Sequence, residues 1–321
     1  MYGPAATAVE AVAAWLGGTS MAWIAFWIKV VNGICFVAVA ALLDRLAGPD
    51  QERRTRAALL WGVNPLMLFW IVVGAHTDLL AVLPLLLALL AGRTLRKPLP
   101  GGRAALAAAA TGVLAGIVVA VKVTFAGPVA GLAAGLRYVV PGRHRTAVLA
   151  AGIAGGAIVL AAGYAVAGLA AWKSLSRRLS SAHDSFLPLP GAVYLHPAAY
   201  AGVTIAAVAI VGSILAWRLP PGYPDLPEIR PMLVCALALV LGGIVQYPWY
   251  DAMFFPLLAR LPASHLDGWL VARIATISGL LLPGIGISTA EYREVRVVVP
   301  VFTVRFLAAA ALGKRRARGT E

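Results

Sequence analysis

"ALLWGVNPLMLFWIVVGAHTDLLAVLPLLLALLAG", residues 58–92, holds two apolar runs, 58–73 and 78–92, parted by Gly74-Ala75-His76-Thr77-Asp78. Each run approaches the roughly 20 residues that a helix needs to cross hydrocarbon. In lipid every backbone group must be satisfied within its own segment, so two such runs joined by four or five residues read as a tight hairpin between spanning helices. The histidine and the aspartate then sit at a membrane surface, where an ionisable pair is a candidate for function.

The rest of the chain repeats this pattern. Of 321 residues 61% are hydrophobic and 12% charged, against about 25% charged in a soluble domain. Spans are expected near 21–43, 58–73, 78–92, 104–121, 123–140, 147–171, 197–217, 231–247, 249–262, 269–287 and 297–312. The expected fold is all-α: one polytopic transmembrane bundle of about 11 spans. The segment 249–262 is short and carries Pro256 and Pro262, so a broken or re-entrant helix is expected there.

The charges sort by side. With 44–57 cytoplasmic, that side also takes 93–103, 137–146, 218–230, the neighbourhood of 260–273 and the basic tail 313–321, and holds 19 of the 27 Lys and Arg. The opposite side holds Lys122, Lys173, Arg177, Arg178, Arg293 and Arg296, while Lys29 and Arg305 lie within spans. This bias follows the positive-inside rule and places His76 and Asp78 outside. It also explains the net charge of +14 without nucleic acid as a partner. Residues 1–20 then lie outside as an interfacial helix, with no signal peptide ahead of the first span; a preceding membrane-crossing segment is expected to be missing.

Among the middle spans, Gly112 and Gly116, Gly127, Gly131 and Gly135, and Gly152 and Gly156 recur at a spacing that brings helices close together. Cys35 and Cys235 lie in apolar runs without metal or redox spacing, and no metal is expected. The longest segment between spans, 172–196, is polar and falls outside, where loops of that length often carry function.

Few residues can carry chemistry. Asp78 opens a span, where its carboxylate either caps the first turn or serves a site with His76. Lys122 stands alone between "GVLAGIVVAV" and "VTFAGP". It either snorkels to the interface or offers a phosphate a point charge. Lys29 and Asn32, one turn apart, suit hydrogen bonding between helices. "YPWY", 247–250, is either an interfacial aromatic belt or a sugar platform.

In order along the chain, "YGP", "NPL", "GAHTDLL", "AVK" and "YPWY" make the sequence resemble the actinobacterial polyprenol-phosphate-mannose-dependent alpha-1,6-mannopyranosyltransferases, integral membrane enzymes of the GT-C glycosyltransferase superfamily. The resemblance implies a GT-C-like bundle in the plasma membrane that moves a mannosyl group, on the outer face, from a polyprenyl-phosphate donor to a lipomannan or lipoarabinomannan-type glycan acceptor. It implies no cofactor beyond that lipid-linked donor. It places donor phosphate at Lys122, Arg177 and Arg178, acid–base chemistry at Asp78 and His76, and sugar stacking at Trp249 and Tyr250. His76, Asp78, Lys122 and Trp249 are then expected to converge on an outer cavity open to lipid. Two departures stand out. The superfamily usually carries its acidic catalytic residue in a large outer loop between the first two spans, a part this sequence lacks ahead of Met21, and His76-Thr77-Asp78 replaces the family's His-Asn-Asp. A lipid-linked sugar transporter lined by Lys29 and Arg305, or a shortened non-catalytic paralogue, are the alternatives.

Overall fold

The computed structural model describes residues 2–97, 99–140, 142, 145–180, 197–242, 247–281, 304, 305 and 308. Every regular element among them is helical: α1 (Pro4–Gly17), α2 (Met21–Ala47), α3 (Gln51–Val73), α4 (Leu79–Arg93), α5 (Gly101–Val121), α6 (Ala126–Val139), α7 (Arg145–Ser180), α8 (Pro197–Arg218), α9 (Ile229–Gly242) and α10 (His265–Leu281), with short 3-10 turns between some of them. Five helices are long and apolar enough to cross a membrane: Met21–Ala47, Gln51–Val73, Leu79–Arg96, Gly102–Val121 and Arg145–Gly168. Trp23, Ile34, Leu106, Ile153 and Val166 turn outward from them. Apolar side chains this large on the outside of a bundle match a hydrocarbon solvent. The chain is an all-α membrane bundle.

The expected spans 197–217 and 231–247 correspond to shorter apolar helices, Gly202–Arg218 and Ile229–Gly242. Segment 249–262 is indeed broken, into a 3-10 helix at Pro248–Met253 and a single turn at Phe255–Leu258. Two expectations need correction. The polar segment 172–196 begins not as loop but as helix, because α7 runs through Ser180; it bends at Gly168, whose φ of 72° and ψ of 179° break the helical path. Arg273 is not a loop charge on the basic side but a buried residue inside α10. Nearly all of 297–312, and the tail 313–321, lie outside the described residues.

Local chemistry explains the elements around the hairpin. Pro65 interrupts α3, and Asn64 repairs the break: its side chain accepts from Leu66 N and Met67 N and donates to Leu60 O at 3.1 Å. On both sides of this break the helix widens to π geometry, at Ala58–Gly62 and Leu68–Val73. Such bulges favour functional sites because they re-aim side chains. The widening carries into the hairpin through Gly74 N to Phe69 O and His76 N to Ile71 O. At Gly74 an added Cβ would lie 2.4 Å from Trp70 O, so only glycine fits, and Ala75 takes the left-handed conformation at φ 57°.

The recurring glycines act in packing. A Cβ on Gly112 would lie 1.8 Å from Gly152 O, and one on Gly116 2.8 Å from Gly156 O, so α5 and α7 touch backbone to backbone. Gly127, Gly131 and Gly135 bring α6 as close to α9. Close approach of this kind substitutes for a hydrophobic driving force that lipid does not provide. At one end of the bundle, ion pairs Arg53–Asp225, Arg96–Glu228 and Arg56–Asp267 bind α3 and the 3-10 turn after α4 to the segments that precede α9 and open α10. The hairpin and Lys122 lie at the other end.

Candidate functional site

Four segments meet at the hairpin end. Asn32, on α2, donates through its amide to both Ile71 O and His76 O at 3.0 Å, clamping the hairpin from below. The hydrogen-bonding role expected of Asn32 is thus its observed one, whereas Lys29 is exposed and takes no part.

Beside the hairpin, α5 ends where Lys122 adopts extended backbone, φ −156° and ψ 118°, and turns its side chain inward. Its Nζ meets Asp78 Oδ1 at 2.7 Å, with 1% and 0% of the two side chains exposed. Both alternatives based on the surface are therefore overturned. Lys122 does not snorkel, because its ammonium is already satisfied inside. Asp78 makes no capping bond: Oδ1 meets that ammonium, and Oδ2 has no hydrogen-bond partner. Burying such a pair costs desolvation on both partners, which the fold accepts only with close geometry and neighbouring polar groups. The Tyr250 ring supplies one such group, its centroid 3.8 Å from Lys122 Nζ, and the Tyr2 ring another at 5.4 Å.

The role of the opening "YGP" becomes physical here. Gly3 N donates to Val121 O at 2.8 Å, and a Cβ at Gly3 would lie 2.2 Å from Ala120 O. Pro4 then starts α1, its preset φ suiting the first helical position. This strap lays Tyr2 over the ion pair, with its phenol 3.4 Å from His76 Nδ1. Burial, aided by the Asp78 charge, pushes the Tyr2 phenol up to about 12. Burial also holds the His76 imidazole below its ordinary value; Asp78 opposes this and Lys122 reinforces it. Lys122 and Asp78 are themselves enclosed, while Tyr2 above them keeps 38% of its surface exposed.

The aromatic residues form a stack. Trp249 lies 3.9 Å from His76 at 15° and 4.4 Å from Tyr247 at 9°. Two rings that close to one indole centroid would collide if they shared a face, so they cover opposite faces. Trp249 therefore offers a sugar no free face, and Tyr250 has Lys122 against one of its own. Trp70 packs on Trp249 from the side and donates to Ser278 Oγ at 2.6 Å.

One pair escaped the sequence reading. Asp251, next to Tyr250, is buried and bonded to Arg273 of α10. A carboxylate following an aromatic cluster inside an apolar run, and an arginine inside "VARIATISG", were the available signals. Arg177 and Arg178 belong to α7 by backbone, but their side chains lie outside the described residues. Among the described residues no group of three His, Cys, Asp or Glu could hold a metal ion.

Residues 1–137 match the family model for the N-terminal domain of alpha-(1->6)-mannopyranosyltransferases. No curated protein and no solved structure matches the chain. The matched segment supplies Tyr2, Asn32, His76, Asp78 and Lys122, whereas Tyr247, Trp249, Tyr250, Asp251 and Arg273 lie beyond it. The chain's first 137 residues are thus similar to the N-terminal domain of this mannosyltransferase family, which supports a hexosyltransferase.

Proposed function

We propose that the chain transfers a mannosyl group from a polyprenyl-phosphate donor to a mannan-type glycan acceptor, at the outer face of the plasma membrane. The observation that carries this reading is the enclosed Lys122–Asp78 pair at the hairpin end of the bundle. Lys122 is the one lysine with a described side chain that is buried at that end, and a compact ammonium is suited to a phosphate.

The donor's two halves have matching surroundings. An apolar groove of about 350 Å³ runs between α5, α6 and α7, lined by residues such as Gly116, Val119, Val129 and Leu160. Val119 lies one helical turn before Lys122, so an isoprenoid chain in the groove leads its phosphate toward the ammonium. Asp78 is the counter-ion that lets Lys122 stay buried. Donor phosphate replaces that carboxylate as the partner of Lys122. His76, held by Asn32 and Tyr2, keeps Asp78 and the hairpin in place. Arg177 and Arg178 are further candidates for the phosphate.

Transfer forms a bond between an acceptor hydroxyl oxygen and the anomeric carbon and breaks the bond from that carbon to phosphate oxygen. The electron pair leaves on the phosphate, where Lys122 offsets the developing charge. The acceptor proton goes to a carboxylate.

A transporter would gather charge along an interior pathway, but Lys29 and Arg305 are both exposed on the outside of the bundle. The test uses purified chain in liposomes with polyprenyl-phosphate-mannose and a short alpha-1,6-mannan. Elongated mannan is expected from the native chain and not from Lys122→Ala. Movement of the lipid-linked sugar across the bilayer with no elongation would overturn the proposal in favour of transport.

A further inference from the structure

We infer that Asp251 and Arg273 form the acceptor subsite, with Asp251 the carboxylate that takes the acceptor proton; this rests on the transferase reading above. Displacement with inversion needs the base on the face of the sugar opposite the departing phosphate. Asp78 touches the same ammonium that is proposed to hold the phosphate, so it belongs to the leaving-group side. Asp251 has an independent cation, Arg273, and comes from a different element, the 3-10 helix Pro248–Met253. Its neighbour in that helix, Tyr250, packs on Lys122. The two ion pairs therefore hold successive residues of one short helix.

The unused hydrogen-bonding capacity of this second pair specifies its ligand. Asp251 and Arg273 are 0% and 2% exposed. With their mutual bond made, Asp251 Oδ2 has no donor, and Arg273 Nε and Nη2 have no acceptor. Buried atoms left this way cost free energy until a partner arrives. The pair is neutral in sum, so its complement is not an ion. A free acceptor beside free donors matches a group that both gives and takes hydrogen bonds, which is what neighbouring hydroxyls of a hexose do. One hydroxyl donates to Asp251 Oδ2; an adjacent one accepts from Arg273. In transfer, the proton of the first passes to Asp251 Oδ2 as its oxygen bonds to the anomeric carbon. The bond from that carbon to the phosphate oxygen breaks, and its electron pair departs with the lipid phosphate. Both pairs are enclosed in this conformation, so the elements over them part to admit substrate.

Azide separates a base from a merely structural residue. As an anionic nucleophile it attacks the anomeric carbon with no proton to lose, giving glycosyl azide and polyprenyl phosphate. In liposomes with polyprenyl-phosphate-mannose, acceptor transfer by Asp251→Asn is expected to fall by about 10² to 10⁴, the usual contribution of a general base. Its azide reaction stays within threefold of the native rate. Asp251→Glu keeps the charge that Arg273 requires and so preserves the fold, but it misplaces the oxygen, and its transfer falls at least about tenfold relative to azide. A ratio of transfer to azide reaction unchanged from native in either variant overturns the assignment, whether both rates persist or both are lost. If the native chain makes neither product, it is the transferase reading that fails.

Discussion

Removing either partner of the Lys122–Asp78 pair should destabilise the protein far more than removing both. The pair is closed to solvent, and its 2.7 Å contact replaces the water that each ion lost. Asp78→Asn strands a buried ammonium and Lys122→Met a buried carboxylate; breaking a buried pair from one side costs about 3–5 kcal/mol. Asn at 78 can still accept a hydrogen bond, which puts that variant near the lower figure. The Tyr250 ring, 3.8 Å from the ammonium, offsets up to about 2 kcal/mol more of its desolvation. Asp78→Asn with Lys122→Met contains no stranded charge and is expected to recover to within about 2 kcal/mol of the native protein. Thermal unfolding in nanodiscs reads this directly. At about 2–4 °C per kcal/mol, each single variant should fall on the order of 10 °C and the double variant by less than either. Raising salt should change little, because ions cannot screen a pair this enclosed. Single losses below about 1 kcal/mol, or a double loss equal to their sum, would refute the view that the two side chains hold each other's charge.

Three further outcomes follow from the same geometry. Asn32→Leu leaves Ile71 O and His76 O without their shared donor; a loss of about 1–3 kcal/mol is expected, together with faster amide exchange confined to residues 71–78 by mass spectrometry. Stability should decline on both sides of neutral pH. The unfolded His76 ring takes up a proton near 6.5 while the folded ring resists, so stability is lost as pH falls below that value. The Tyr2 phenol is raised from 10.0 to about 12, so its contribution is present below pH 10 and lost as pH rises through 12. His76→Gln should flatten the acid limb and Tyr2→Phe the alkaline one in unfolding curves. Gly112→Val forces atoms into Gly152 O, from which even a lone Cβ would lie only 1.8 Å; overpacking of about 1–3 kcal/mol is expected, with reduced labelling of the α5–α7 groove by a photoactivatable prenyl phosphate.

The membrane bundle was legible because long apolar runs have one stable solution in lipid, and 58–92 displays two of them with their connection. Lys122 was visible because it stands alone among apolar neighbours, and Asp78 because it closes the short polar break His76-Thr77-Asp78 between two apolar runs. Their pairing was not, because a contact across 44 positions depends on where α5 breaks and how the hairpin is aimed. Both depend on backbone departures, the extended Lys122 and the π-helical widening around Asn64-Pro65, that hydrophobic periodicity does not encode. Trp249 looked like a sugar platform because composition identifies an aromatic residue but not what covers it; His76 and Tyr247 approach its ring from different segments. Arg273 was hidden by sorting charges into loops, a procedure that assumes that arginines near the end of a span face water.

The two ends of the bundle are fastened by different means. Where the basic segments gather, Arg53, Arg56 and Arg96 each reach a carboxylate on a segment distant in sequence, and Arg260 adds a bond to Leu46 O at 2.6 Å. At the hairpin the helices are joined by the Asn32 clamp and the Lys122–Asp78 pair, and only the cover over that pair is light, resting on Tyr2 and the backbone bond from Gly3 to Val121. Thermal motion is therefore expected to lift the strap before it parts the helices, as a lid lifts from a box whose walls stay joined. The latch weighs one tyrosine, and whatever displaces it opens a way to an ammonium that has Asp78 as its partner.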